Sequence, residues 1–203
     1  MAAPRNHIKV FVGSTVYDFQ TQLESIYELL DGLGYDVINS HRGTVRVDSS
    51  ESNLTNCLDA VDECDVFVGF VRPDYGSGVL DVGGKSITHQ EFERATSRKI
   101  PWFMMADYRV TFVRSLLKSA TITIGGVPHP LTISDTLFNK KAMDVRCVEL
   151  YNQMIKDKDY PASIRKGNWV QEYKNLEEIR LFLESQFKDV PQMHELIKKI
   201  AAS

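Results

Sequence analysis

Residues 65–71, DVFVGFV, carry no charge after the opening aspartate and are built mainly from valine and phenylalanine. A short apolar run of this kind reads as a central strand covered on both faces, the habit of a parallel sheet with helices above and below. The flanking segments agree. Residues 8–13 (IKVFVG) form a second β-branched run closed by glycine, and residues 35–39 (YDVIN) a third. Between these two, Phe19, Leu23, Ile26, Tyr27, Leu29, Leu30 and Leu33 recur at helical steps until Gly32 and Gly34 stop the pattern. Leu54, Cys57, Leu58 and Val61 mark a second helix, residues 88–98 a third, and residues 101–106 a fourth strand. The order β-α-β-α-β-α-β predicts a parallel sheet wrapped by helices. The loops after Gly13, Asn39, Val71 and Ala106 then share one edge, and such sheets bind ligands there.

The second half is less regular. Residues 121–124 and 131–133 flank Gly125-Gly126-Val127-Pro128, which predicts a hairpin. Residues 136–158 read as a helix, 169–173 as a last strand, and 176–187 and 191–202 as two terminal helices. The expected organisation is one domain over residues 1–203. Its core spans 7–108 and 167–190, and about 111–166 is added to it.

Composition narrows the function classes. A net charge of -3 gives no reason to expect a nucleic-acid partner, and no apolar run is long enough for a membrane span. Three cysteines without a CxxC fit a reducing, cytoplasmic setting and no structural metal. Cys57 and Cys64, seven apart, are expected to share a helix face as small apolar groups.

Three constellations fall on the predicted ligand edge. Gly13-Ser14-Thr15-Val16-Tyr17-Asp18 is a strand-to-helix turn whose hydroxyls and helix N-terminus suit a phosphate, although Thr15 and Asp18 equally suit a capping box. The loop opening Arg72-Pro73-Asp74-Tyr75-Gly76 offers Arg72 as a phosphate clamp and Tyr75 as a stacking platform, or is simply a long solvated loop. The helix opening Ser86-Ile87-Thr88-His89-Gln90-Glu91 places a carboxylate in its first turn. Thr88 to Glu91 fits the capping box [ST]-x-x-[DE]; the alternative is that Glu91 faces a sugar and stabilises positive charge as a glycosidic bond breaks.

Taken in order, VFVGSTVYDF (residues 10–19), DVFVGFVRPDYGS (65–77) and SITHQEFERA (86–95) resemble a family of TIR-like domains whose members open with VFxSSTxxD. Gly13 stands where that motif has its first serine. The resemblance implies a flavodoxin-like fold related to TIR domains and nucleoside deoxyribosyltransferases, in which a glutamate at the position of Glu91 serves cleavage at a ribose. It further implies NAD as substrate rather than cofactor, a nucleotide signal in bacterial antiphage defence, a homo-oligomer, and a separate effector protein with a phage-derived trigger. On this reading Glu91 is catalytic. Ser14, Thr15, Asp18, Arg72, Ser86 and Thr88 bind substrate, with Tyr17, Phe19 or Tyr75 stacking on a ring. A deoxyribosyl-transfer enzyme and a non-enzymatic assembly or sensing module are the rival expectations.

Overall fold

The computed structural model describes residues 7–76, 84–119, 121–124, 126–130, 143–156 and 161–202. In chain order the elements are β1 (Lys9–Gly13), α1 (Gln20–Gly32), β2 (Asp36–Ile38), α2 (Asn53–Glu63), β3 (Val66–Val71), α3 (Ile87–Ser97) and β4 (Trp102–Asp107). They continue with α4 (Tyr108–Ser119), β5 (Thr121–Ile124), β6 (Val127–Pro130), α5 (Arg146–Met154), β7 (Val170–Tyr173), α6 (Leu176–Phe187) and α7 (Val190–Ala201). Five strands form a parallel sheet in the order β2-β1-β3-β4-β7. Counted along the sheet's own strands this is 2-1-3-4-5, the flavodoxin-like order.

β3 is buried at all six positions, as its composition requires. Its side chains alternate between two cores. Val66, Val68 and Phe70 join Leu23, Ile26, Ile179, Leu183 and Phe187 on the α1/α6 side. Phe67 and Val71 join Val61, Phe92, Ala95 and Leu150 on the α2/α3/α5 side. Tyr35 donates its hydroxyl to the Phe187 carbonyl at 2.8 Å, fastening the end of α6 beneath the sheet.

The second half departs from the expected element list. α4 is an unannounced helix: Tyr108, Phe112 and Leu116 lie exposed on it, while buried Val110 and the partly buried Val113 and Leu117 pack on the core of the α2/α3/α5 side. The hairpin forms, but its second arm is β6 at Val127–Pro130, turning at Gly126 with φ +83. Residues 131–133 and 136–142 lie outside the described residues. The expected 136–158 helix is observed only as α5. Asp144 accepts from the Arg146 backbone N–H at 3.0 Å just before it, and Lys156 with φ +53 follows its end. α5 contributes Cys147, Val148, Leu150 and Met154 to the second core. Among the described residues no helix is long and apolar enough to cross a membrane.

Candidate active site

A cavity of about 360 Å³ opens at the carboxyl edge of the sheet, beside β1. Three walls enclose it: the turn after β1, the loop after β2 with α2, and the start of α3.

The first wall holds Ser14, Thr15, Val16 and Tyr17. α1 begins only at Gln20, behind Phe19, which makes no side-chain cap. Thr15 and Asp18 therefore do not cap the helix. Thr15 donates instead to the Asp74 carbonyl at 3.2 Å. Asp18 sits at φ +55, a conformation that costs a non-glycine residue energy. Arg72 holds it there. The buried guanidinium lies 4.6 Å over the Phe19 ring and donates to the carbonyls of Thr15 (3.0 Å), Tyr17 (2.5 Å) and Asp18 (3.4 Å). Arg72 thus organises the turn from beneath and is not turned to a phosphate. Lysine cannot span three carbonyls and cover a ring. Arg72→Lys is expected to cost about 2–3 kcal/mol in a urea melt.

The second wall is fixed by two buried asparagines. Asn39 accepts at Oδ1 from the N–H groups of His41 (2.7 Å) and Arg42 (3.3 Å) and donates to the Val12 carbonyl at 3.4 Å. Asn56 accepts from the Asp48 N–H at 2.7 Å and donates to the carbonyls of Asp48 and Ser52, each at 3.1 Å. The loop between them presents Ser40, Val45 and Val47 to the cavity, and α2 presents Asn53, Asn56 and Cys57. Cys64 does not share this face. It follows the end of α2 in extended backbone, where it is buried. Cys57 stands half-buried at the cavity, its thiol pKa pushed up to about 12 by burial and by Glu91.

The third wall is α3, capped by Ser86, whose hydroxyl accepts from the His89 N–H at 3.2 Å. The helix starts at Ile87, so Glu91 is its fifth residue and closes no capping box with Thr88. The carboxyl instead turns back to β1: its Oε2 lies 2.9 Å from where a Cβ on Gly13 would stand. Glu91 is 4% exposed and still lines the cavity. Burial pushes its pKa up to about 7, and the Cys57 thiol, which lines the same cavity, opposes the rise.

Behind α3 a polar chain runs from buried Tyr75 through buried His89 to Gln153 at the surface. His89 Nε2 meets Gln153 Oε1 at 2.8 Å, which puts its proton there and leaves Nδ1 to accept from the Tyr75 hydroxyl at 2.5 Å. Burial lowers the His89 pKa. Arg146 covers the Tyr75 ring at 4.5 Å.

Of the residues expected from sequence, Glu91, Ser14, Thr15, Tyr17 and Thr88 meet at the cavity. The others do not. Phe19 is core, Arg72 and Tyr75 are buried against protein, Ser86 is the helix cap, and Asp18 is the exposed hinge of the turn. Sequence reasoning missed Ser40, Asn53 and Asn56, and gave Cys57 a packing role. The available signal was Asn53 and Asn56 falling at helical spacing with Cys57. No lysine or arginine is among the described residues lining the cavity. Nor do three His, Cys, Asp or Glu side chains cluster as metal ligands among the described residues.

Residues 9–188 match a family described as a domain of unknown function, DUF4062. No curated protein matches the chain. Among solved structures, the chain is similar to a Clostridium botulinum CMP N-glycosidase, BcmB. The two are 15% identical with a TM-score of 0.42, over 87% of this chain and 98% of that one. It is also similar to a 2-desoxiribosyltransferase from Leishmania mexicana, at 14% identity and a TM-score of 0.36, over 49% of this chain and 64% of that one.

Proposed function

We propose that this chain, which belongs to the DUF4062 family, is an enzyme that cleaves an N-glycosidic bond to ribose, with NAD as its substrate. The observation that carries the reading is Glu91: a buried carboxyl that lines the cavity and is not used as a helix cap. A fold gains nothing from an acid held there, so its presence points to chemistry.

In the reaction, the bond between C1′ and the nicotinamide nitrogen breaks with its electron pair going to nitrogen, so a cationic ring departs neutral and needs no proton. Positive charge moves to C1′ and the ring oxygen. Ionised Glu91 stabilises that charge in a site of low polarity, and holds the ribose hydroxyls. Water then adds to C1′ and loses a proton, giving ADP-ribose; an internal nucleophile at the same carbon would give a cyclic product. Ser14, Thr15 and Thr88 supply hydroxyls for sugar and phosphate. N–H groups at the starts of α2 and α3 take the anionic oxygens.

The absence of lysine and arginine from the described lining favours a second reading, in which the substrate is an uncharged nucleoside and Glu91 attacks C1′ itself. Incubation with NAD, and separately with a nucleoside plus a second free base, separates the two. Nicotinamide release supports the first; base exchange without nicotinamide release supports the second; neither outcome at high protein concentration refutes both.

In either case the active species is the ionised carboxylate. kcat/KM is therefore expected to rise about tenfold per pH unit below 7 and to level off above it, following the Glu91 pKa of about 7. A profile that falls across this range would make Glu91 a proton donor instead.

A further inference from the structure

We propose that the chain carries a second ligand site, at the amino edge of the sheet, that takes an uncharged nucleoside. The site lies at the opposite end of the strands from Glu91, and the proposal does not depend on the reading of that residue.

A cavity of about 400 Å³ opens where β4 and β7 begin, against the second half of α6. Trp102 and Phe103 from β4, Trp169 just before β7 and Phe182 from α6 give it aromatic walls. Two of these rings are fixed from behind. Trp102 stands edge-on to Phe92 with centroids 5.6 Å apart, and Phe103 packs on Phe187 at 5.1 Å. Trp169 is different. It is 74% exposed, and among the described residues its indole has neither a ring nor a hydrogen-bond partner. An open indole of this kind is a surface on which a base ring stacks.

The polar groups are few and held in place. Gln186 donates to the Ser185 hydroxyl at 2.9 Å, and that hydroxyl donates to the Phe182 carbonyl at 2.8 Å. Gln171 donates to the Glu172 carbonyl at 3.0 Å. Each amide spends one N–H on the protein and retains the other beside its own oxygen. A donor next to an acceptor matches the edge of a nucleobase, and glutamine pairs with bases in this way. Charged residues make up 25% of the chain, yet no described residue lining this cavity carries a charge. A phosphate would lose its hydration there without gaining a counter-charge, so the ligand is neutral. Aromatic walls with a few fixed polar groups, at this volume, are the make-up of a small-molecule site.

The chain has two tryptophans, and both line this cavity, whereas neither lines the cavity at Glu91. Tryptophan emission is therefore a direct reporter of the second site. The probe is adenosine, titrated into the parent protein and into Glu91→Gln, where turnover cannot consume it. A saturable change in emission is expected in both. Gln186→Leu is expected to weaken the apparent Kd about tenfold, the size of one lost base pairing. Gln171→Leu, on the other wall, repeats the test should Gln186→Leu melt early. Trp169→Ala leaves Trp102 as the reporter and is expected to abolish the saturable change. A change that grows linearly with adenosine, or one unaltered in these variants, would overturn the proposal. Equal affinity for adenosine 5′-monophosphate would overturn the neutral ligand. Saturation by an uncharged proline-rich peptide, with none by adenosine, would make the cavity a peptide groove and overturn it equally.

Discussion

Glu91→Gln is expected to make the protein more stable at pH 8 by about 4 kcal/mol and to leave it unchanged near pH 4. The sign follows from the direction of the pKa shift. An unfolded glutamate ionises near ~4.3, whereas folded Glu91 ionises at about 7. Below the first value both states hold the proton, and the carboxyl costs nothing. Between the two values the unfolded state ionises while the folded state does not, so stability falls by ~1.4 kcal/mol per unit of pH. Above 7 both are ionised and the loss stays constant. Glutamine mimics the protonated acid at every pH and escapes the loss. Urea melts of both proteins across pH 4–9 check this. Equal stability at all pH values would mean that Glu91 is not buried as an acid.

The second large effect is at Gly13. Its backbone does not need glycine, since it is not among the residues with positive φ. What it supplies is space. A Cβ there would meet Glu91 Oε2 at 2.9 Å, Phe67 at 3.1 Å and Phe11 at 3.3 Å. The two rings are stacked on each other and buried, so the carboxyl is the group that must move. Gly13→Ala is expected to cost about 1–3 kcal/mol from overpacking. It should also lower kcat about a hundredfold, because displacing a catalytic group by an ångström is enough for that. Removing the carboxyl should relieve the contact: Gly13→Ala in a Glu91→Ala background is expected to cost much less than alone. An equal cost in both backgrounds would show that the glycine serves the rings and not the acid.

The same position explains the departure from the VFxSST pattern. Glycine in place of the first serine reads, in sequence, as one small residue for another. In the fold it is the space into which the carboxyl turns.

The parallel core was readable because burial on both faces leaves an unmistakable mark: β1, β3 and β4 are apolar runs, and α1 carries its stripe over more than three turns. α4 escaped because Tyr108, Phe112 and Leu116 face outward while Val110, Val113 and Leu117 face the core, so apolar residues on both sides of the helix blur its period. The site was half readable for a related reason. Local pattern placed Glu91 at the ligand edge and offered Thr88 as the cap, but the fold caps the helix at Ser86. That two-residue shift separates a capping glutamate from one that lines a cavity. Arg72 looked like a phosphate ligand because arginine after a central strand often is one. Its partners are carbonyls at 15, 17 and 18, more than fifty residues away, and no local pattern announces such a contact.

The most direct test of the central claim is base release. The parent protein and Glu91→Gln, both at high concentration and pH 8, are incubated with NAD and with a panel of nucleosides, and the products are resolved by mass. The account predicts a free base and the matching ribose product from the parent, and a loss of at least a hundredfold in a variant that melts no lower. Release that persists in Glu91→Gln, or none from the parent with any of these substrates, would contradict it.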